Sequence, residues 1–305
     1  MNSDGCFEDD KTSDYTTEKM YYFERILRIH LSVARNVIRK YKTPYLYVDM
    51  TSASGKIKTT DGEIIYGSPL RFLSAIQDYP DIDYTIQFID EDNKKIDCLR
   101  KNIEAEFPRT NCYIHNGTHQ SFTDSEELKF RNGTFGLIYL DLYGDFGNSI
   151  QALNQIVKRD PLKLKRDEQK PMLDILISFS GTSIKRPNGV EKYNRQNRTL
   201  YDYVNGIDKK CWLVREPYGK QQWSFLLGTY GDIFDDYKKY EFYRMDSEEG
   251  KDIFYLLNTT LDSLSKDEVN EIRYRTEIRR SKWERKYSPP QDLFSIHNIK
   301  IGEDE

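Results

Sequence analysis

Apolar positions recur along this chain with two periods, and the periods alternate. Leu27, Leu31, Ala34, Ile38 and Tyr41 fall three and four residues apart, which predicts a helix over 17–41. Pro44 ends it, and Tyr45-Leu-Tyr-Val-Asp49 follows as a short β-rich run. Ser68-Pro69 supplies an N-cap and a first-turn proline for a helix through Gln77. A second strand is expected over 84–89, then a helix over 91–106 with Ile96, Leu99 and Ile103 on one side. A third strand is expected at 111–114, and Phe135-Gly-Leu-Ile-Tyr-Leu140 is a near-continuous apolar fourth, ending at Asp141. Asn148 caps a helix carrying Ile150, Leu153, Ile156 and Val157, and residues 173–179 form the fifth strand. Near-continuous apolar strands separated by amphipathic helices signify a doubly wound, mostly parallel α/β sheet covered on both faces.

After a helix near 198–207 the alternation changes. Cys211-Trp-Leu-Val-Arg215 and residues 222–227 flank Pro217-Tyr-Gly219, which reads as two antiparallel strands around a turn. A Tyr- and Asp-rich tract covers 232–243, and helices are expected over 247–263 and 266–286.

Composition narrows the class. The 305 residues carry 46 basic against 50 acidic side chains, a formal charge of −4, and only 37% are hydrophobic. The 23 Tyr and 15 Phe nevertheless give more aromatic surface than a disordered chain carries. No apolar run approaches the roughly 18 residues of a membrane span, and the acidic start does not read as a secretory signal. A cytoplasmic protein without membrane contact is expected. Cys6, Cys98, Cys112 and Cys211 are scattered without a CxxC pair, so free thiols are expected rather than a zinc site. His115 and His119 lie four apart, but Asn116-Gly117-Thr118 between them argues for a loop, and no metal site is expected.

In open parallel sheets ligands bind beyond the carboxyl ends of the strands, where helix N-termini also point. Each predicted strand ends there in a polar cluster. The first ends in Asp49-Met-Thr-Ser-Ala-Ser-Gly55, the second in Asp90-Glu91-Asp92 and the third in Asn116-Gly-Thr-His119. The fourth ends in Asp141-Leu-Tyr-Gly-Asp145 and the fifth in Ser178-Phe-Ser-Gly-Thr-Ser183. A small-residue loop after strand one lets backbone approach a ligand, and an acid closing strand two can accept from both ribose hydroxyls. That pairing points to an adenosine-containing ligand. No Gly-x-x-x-x-Gly-Lys phosphate loop and no Gly-x-Ser-x-Gly elbow is present.

Four stretches together resemble the three-Cys-motif partner proteins, a bacterial and phage family with a Rossmann-like, S-adenosylmethionine-dependent methyltransferase fold. They are Tyr47-Val-Asp49 through Gly55-Lys56, Gly67-Ser68-Pro69-Leu70, Phe88-Ile89-Asp90, and Leu140-Asp141-Leu-Tyr-Gly144. The resemblance covers about 45–230. It implies a seven-stranded sheet with a terminal antiparallel hairpin, and a cofactor pocket over Asp49, Ser52, Ala53, Gly55, Asp90 and Thr118. Asp141 is implied at both cofactor and acceptor, with Tyr143 beside it as the second catalytic candidate. It also implies a partner protein with a three-cysteine motif. The chain departs from the family pattern where Ala53 replaces a glycine, Thr118 an Asp, and Leu142 the proline of Asp-Pro-Tyr-Gly. These departures keep open a second reading, a non-catalytic adenosine-pocket subunit beside another enzyme or nucleic acid. The expected organisation is an acidic flexible tail (1–16), a methyltransferase-type domain (17–245) and a basic helical extension (246–305).

Two basic stretches are candidates for nucleic-acid contact. Residues 183–198 contain Lys185, Arg186, Lys192, Arg195 and Arg198 against Glu191, with Tyr193 among them. Residues 271–286 contain Arg279 and Arg280 among seven basic side chains, beside Trp283. Basic residues interleaved with aromatics suit phosphate contact and base stacking, whereas a solvated helix face explains the same pattern.

Overall fold

The computed structural model describes residues 6–9, 16–124, 134–142, 146–157, 172–181, 204–217, 223–257 and 265–287. Two compact units are distinguished, Met1–Thr260 and Leu261–Glu305.

In the first unit the apolar runs become strands β2 (Tyr45–Asp49), β5 (Tyr84–Asp90), β6 (Tyr113–Asn116), β7 (Phe135–Leu142) and β8 (Met172–Ser180). Strands β9 (Cys211–Arg215), β10 (Trp223–Thr229) and β11 (Phe242–Arg244) complete a sheet of order β6-β5-β2-β7-β8-β10-β9-β11. Pairing is parallel from β6 through β8, whereas β10 runs antiparallel to both β8 and β9. This is the doubly wound, mostly parallel Rossmann-like sheet with its antiparallel hairpin. An eighth strand extends the expected seven, because β11 pairs with β9 from Phe242↔Arg215 to Arg244↔Leu213. It falls at the end of the Tyr- and Asp-rich tract, where three residues are too few to show a period.

The layers follow from alternation along the buried strands. Tyr45 and Tyr47 face one core with α1 (Thr16–Tyr41), α2 (Ser68–Ile76) and α3 (Asn93–Glu106). Leu46 and Val48 face the other, with α5 (Phe146–Val157) and α7 (Glu248–Leu257). Helix α1 descends β7 in the reverse sense: Lys19 reaches Asp141, the Phe23 ring lies 4.4 Å from that of Tyr139, and His30 stacks 5.4 Å from Phe135. Eleven helical residues rise about 16 Å and six strand steps about 20 Å, so the two elements keep pace from one sheet edge to the other.

Several boundaries differ from the expected ones for visible reasons. Helix α3 starts at Asn93, because the extended Asp92 accepts from the Lys94 N–H at 2.8 Å and caps it. Gly67, not Ser68, is the N-cap of α2, and Ser68 is its first helical residue. β6 lies two residues later than expected, in register with β5 as far as Asp90↔Asn116. The stretch His119–Asp124 is a short helix, α4, and α5 begins two residues before Asn148. A small second sheet joins β1 (Glu8–Asp9), within the expected tail, to β3 (Lys56–Lys58) and β4 (Ile64–Tyr66). After β10 come a short helix α6 (Phe234–Tyr237) and the strand β11; the helix expected near 198–207 lies mostly outside the described residues. No helix among the described residues is long and apolar enough to cross a membrane. The second unit contains helix α8 (Lys266–Tyr287).

Candidate functional site

Strand order reverses between β2 and β7: successive strands spread to β5 and β6 on one side and to β8 on the other. At such a point the connections of an open α/β sheet leave for opposite faces, and the crevice at its carboxyl edge is the position where such sheets bind ligands. Asp49 ends β2, and Asp141 is the last residue but one of β7, the two strands that flank it.

Asp49 is fully buried. Its Oδ1 accepts the Thr51 N–H at 3.0 Å and its Oδ2 the Tyr47 hydroxyl at 3.4 Å, and Ser68 at the start of α2 donates to it as well. Burial still dominates and raises its pKa from 3.8 to about 7, with the negative charge of Asp141 adding to the rise. Thr51 ties the crevice together, because its hydroxyl also accepts the Asp141 N–H at 2.8 Å.

The loop after β2 is fixed from β5. The Ser52 hydroxyl donates to Asp49 O and accepts the Ile89 N–H, both at 2.9 Å. Ala53 has φ +53° and Gly55 φ +78°, so the loop turns twice through left-handed backbone. At Ala53 that conformation costs about 1–2 kcal/mol. Its N–H is held by Asp90 Oδ2 at 2.9 Å, while Asp90 Oδ1 accepts the Asp92 N–H at 2.9 Å. At Gly55 a Cβ would lie 2.8 Å from Leu99 Cδ1, so α3 packs where a side chain would be. Asn102 of α3 holds the next turn, donating to Ser54 O at 2.8 Å.

Thr118 caps α4: its Oγ1 accepts the Ser121 N–H at 3.1 Å. His119 pairs Nε2 with Met50 O at 2.7 Å and Nδ1 with the Ser149 hydroxyl at 3.2 Å, which packs α4 against the floor of the crevice. His115 lies on β6 and meets the Ser121 hydroxyl at 3.4 Å. The two histidines belong to different elements.

Asp141 stands inside β7 rather than after it. Its Oδ2 accepts from Lys19 Nζ at 2.7 Å in a pair whose side chains are 7% and 14% exposed for Lys19 and Asp141. Its Oδ1 is buried without a partner. Across the sheet Asp141 is in register with Ser178 on β8, whose hydroxyl is also buried and unpartnered. The Lys19 ammonium lies 4.7 Å from the Trp223 ring centroid, at the start of β10. A cavity of about 10 Å³, room for one water, is lined by Lys19, Tyr22, Ser178, Trp223 and Phe225 together with the buried Arg215.

The crevice therefore brings together Asp49, Ser52, Ala53, Gly55, Asp90, Thr118 and Asp141, all at one sheet edge. Tyr143 and the basic residues Lys185, Arg186 and Arg195 lie outside the described residues. Arg279 and Arg280 are half-buried on α8, in the second unit. Sequence reasoning passed over Thr51, Lys19, Ser178 and Trp223. Thr51 sits within the quoted Asp49-Met-Thr-Ser motif, and Ser178 within the fifth strand's polar end, so both had a local signal. Lys19 had none, being 122 residues from its partner.

No family model and no curated protein matches the chain. Solved structures that it is similar to include a protein from Legionella pneumophila, at 10% identity and TM-score 0.45, covering 72% of this chain and 90% of that one. The bifunctional kinase-methyltransferase WbdD matches at 11% identity and TM-score 0.44, over 72% of this chain and 40% of that one. An rRNA methylase from Streptococcus thermophilus matches at 11% identity and TM-score 0.35, over 62% and 88%. At such identities a shared fold carries no substrate with it.

Proposed function

We propose that this protein binds S-adenosylmethionine in the crevice over β2, β5 and β7 and is a methyltransferase for nucleic acid or a nucleotide-like acceptor. The observation that carries this reading is the carboxylate Asp90 beside the doubly turned loop 52–55, at the point where strand order reverses. The donor set fits an adenosine ligand with a cationic end. Each Asp90 oxygen accepts one backbone N–H and retains a lone pair for a ribose hydroxyl. The loop turned at Ala53 and Gly55 brings backbone rather than side chain to the ligand, and Asp49 lies beneath it. Thr118, already capping α4 with its oxygen, can still donate its hydroxyl proton to the base. Bound S-adenosylmethionine supplies a methyl group activated by its sulfonium. The chain's part is to align an acceptor with that methyl, and the candidates are Asp141 as hydrogen-bond acceptor and Tyr143 as a stacking ring.

The resemblance to three-Cys-motif partner proteins belongs to the same reading, with a three-cysteine protein as a further partner. The basic residues Lys185, Arg186, Arg195, Arg279 and Arg280 are the candidates for phosphate contact. If α8 supplies it, reversing Arg279 and Arg280 flattens the salt dependence of RNA or DNA binding, and filter binding at two salt concentrations reads this.

The Lys19–Asp141 pair supports a second reading, a non-catalytic adenosine-pocket subunit, because the acid facing the acceptor is already engaged by a lysine. Thermal unfolding with S-adenosylmethionine or S-adenosylhomocysteine tests both. At 100-fold its dissociation constant a ligand adds about 2.7 kcal/mol of stability. Stabilisation with methyl transfer to RNA or DNA supports the enzyme, and stabilisation without transfer supports the subunit. No shift with either compound removes both.

A further inference from the structure

One face of α3 holds two pieces of chain at once: the segment that leads into β1, and the loop after β2. Asn102, only 4% exposed, donates from its amide to Cys6 O at 2.7 Å and to Ser54 O at 2.8 Å. One turn earlier on the same face, the Cys98 thiol is hydrogen-bonded to that of Cys6. The segment then runs beside the exit of the loop. In β1, Glu8 pairs with Ile57 and Asp9 with Lys58, and the Phe7 ring lies 5.2 Å from Lys58 Nζ. Cys6 and Cys98 are free thiols and only half-buried, so small reagents reach them. Cys112 and Cys211 stand elsewhere, before β6 and at the start of β9.

We infer that Cys6 and Cys98 are a redox-sensitive pair whose oxidation to a disulfide fastens β1 to α3 and sets the loop 52–58. That the loop serves a cofactor rests on the proposed function; the chemistry of the pair does not. The oxidant is a small disulfide such as oxidised glutathione. The Cys6 thiolate attacks one of its sulfurs and expels a glutathione thiolate. Cys98, after losing its proton to solvent, attacks the Cys6 sulfur of the mixed disulfide and expels the second. Two protein thiols and one small disulfide become one protein disulfide and two small thiols, so electrons and protons balance. The contact sets the order. Burial, with the hydrogen bond to Cys6, raises the Cys98 thiol to about 11, so it keeps its proton while Cys6 attacks. Closure has a structural consequence because a two-residue strand is a weak hold, with few backbone bonds to keep it in its sheet. The loop beside it keeps Ala53 at φ +53°, a strained backbone that persists only while its surroundings hold it. A covalent link keeps Cys6 O on Asn102 and β1 on β3, and so preorganises the loop.

The test equilibrates the full chain in glutathione buffers from reducing to oxidising, then alkylates it and maps its peptides by mass without reductant. Oxidising buffer is expected to consume two of the four thiols and to join the Cys6 and Cys98 peptides within one chain. The link is expected to form faster in the folded protein than in urea, where the thiols are no longer held together. In the oxidised form, amide exchange over 52–58 is expected to slow and the melting temperature to rise by about 5–10 °C. S-adenosylmethionine is expected to bind it about fivefold more tightly or better. The double variant C112S/C211S is expected to respond as wild type does. Cys98→Ser is expected not to respond, and Cys6→Ser replaces it should that variant not fold. A link to Cys112 or Cys211, a link between chains, no link, or one formed as readily in urea overturns the pair. Unchanged exchange over 52–58 in the linked protein overturns its hold on the loop, as does unchanged affinity in a protein that binds the cofactor. The outcome is separate from the cofactor reading. A link that slows exchange in a chain that never binds S-adenosylmethionine keeps the pair and removes the methyltransferase. Binding of S-adenosylmethionine by a chain that never forms the link does the reverse.

Discussion

The two flanks of the crevice are built on opposite terms. On the β5 side the polar atoms are engaged: both Asp90 oxygens hold backbone N–H groups, and the Ser52 hydroxyl donates and accepts at once. On the β8 side Asp141 Oδ1 and the Ser178 hydroxyl are buried with no partner. A satisfied network is rigid and specifies one geometry, whereas unsatisfied groups keep the cost of burial until something supplies their bonds. The first flank is suited to hold the same ligand in every encounter. The second is suited to exchange one. A cofactor and a variable acceptor make those different demands on two sides of one crevice.

The largest expected effect breaks the first flank. If Asp90 holds the ribose as proposed, Asp90→Ala removes two charge-assisted hydrogen bonds, each worth about 1.5–3 kcal/mol, and in any case it frees the Ala53 N–H that shapes the loop. S-adenosylmethionine affinity should then fall by about 10²–10⁴-fold in isothermal titration. Unchanged affinity in the mutant would sink the ribose assignment of Asp90.

Two serines sharpen the contrast at smaller scale. Ser52→Ala leaves the Ile89 N–H and Asp49 O without their partner and should cost about 2 kcal/mol in urea unfolding. Ser178→Ala deletes a hydroxyl that bonds to nothing, so its effect on stability should be near zero or slightly favourable. Equal losses in the two variants would mean that the flanks do not differ as described.

Sequence legibility followed the same division. β2 and β9 keep their expected bounds, since a strand buried along nearly all its length is an apolar run closed by a charged residue, Asp49 in one and Arg215 in the other. The β5 flank was legible too: the acid that closes a strand and the small-residue loop opposite it are local patterns, each read within a few residues. The hairpin of β3 and β4 was not. Its three-residue strands are largely half-buried or exposed, so no alternation marks them. The β8 flank depends on contacts across long separations. Nothing near Lys19 signals Asp141, and nothing near Ser178 signals that its hydroxyl stays unpaired, because both facts follow from how α1 descends β7. Ser68 shows the intermediate case. Its position before Pro69 was read as a helix cap, yet its hydroxyl serves Asp49, since a buried carboxylate needs donors more than the helix end does.

Asp49 joins the two flanks, and its titration gives the smallest and most specific expectation. Burial raises its pKa from 3.8 to about 7. Between those values the folded protein keeps a proton that the unfolded chain has released, so this group's contribution to stability declines as pH rises. The slope is at most about 1.4 kcal/mol per pH unit, and it flattens above about 7 once both states are ionised. Asp49→Asn keeps the shape and an oxygen for the Thr51 N–H but cannot ionise, so its unfolding free energy should lack that slope. Linkage then reaches the ligand. A sulfonium favours the ionised carboxylate, so S-adenosylmethionine affinity should rise through pH 7 relative to S-adenosylhomocysteine, whose sulfur is uncharged. The two affinities, measured side by side across that range in wild type and Asp49→Asn, isolate the charge from everything else in the pocket. A ratio that changes with pH in wild type and not in the variant places Asp49 under the sulfonium. A constant ratio in both makes it a structural acid that fastens β2 to α2.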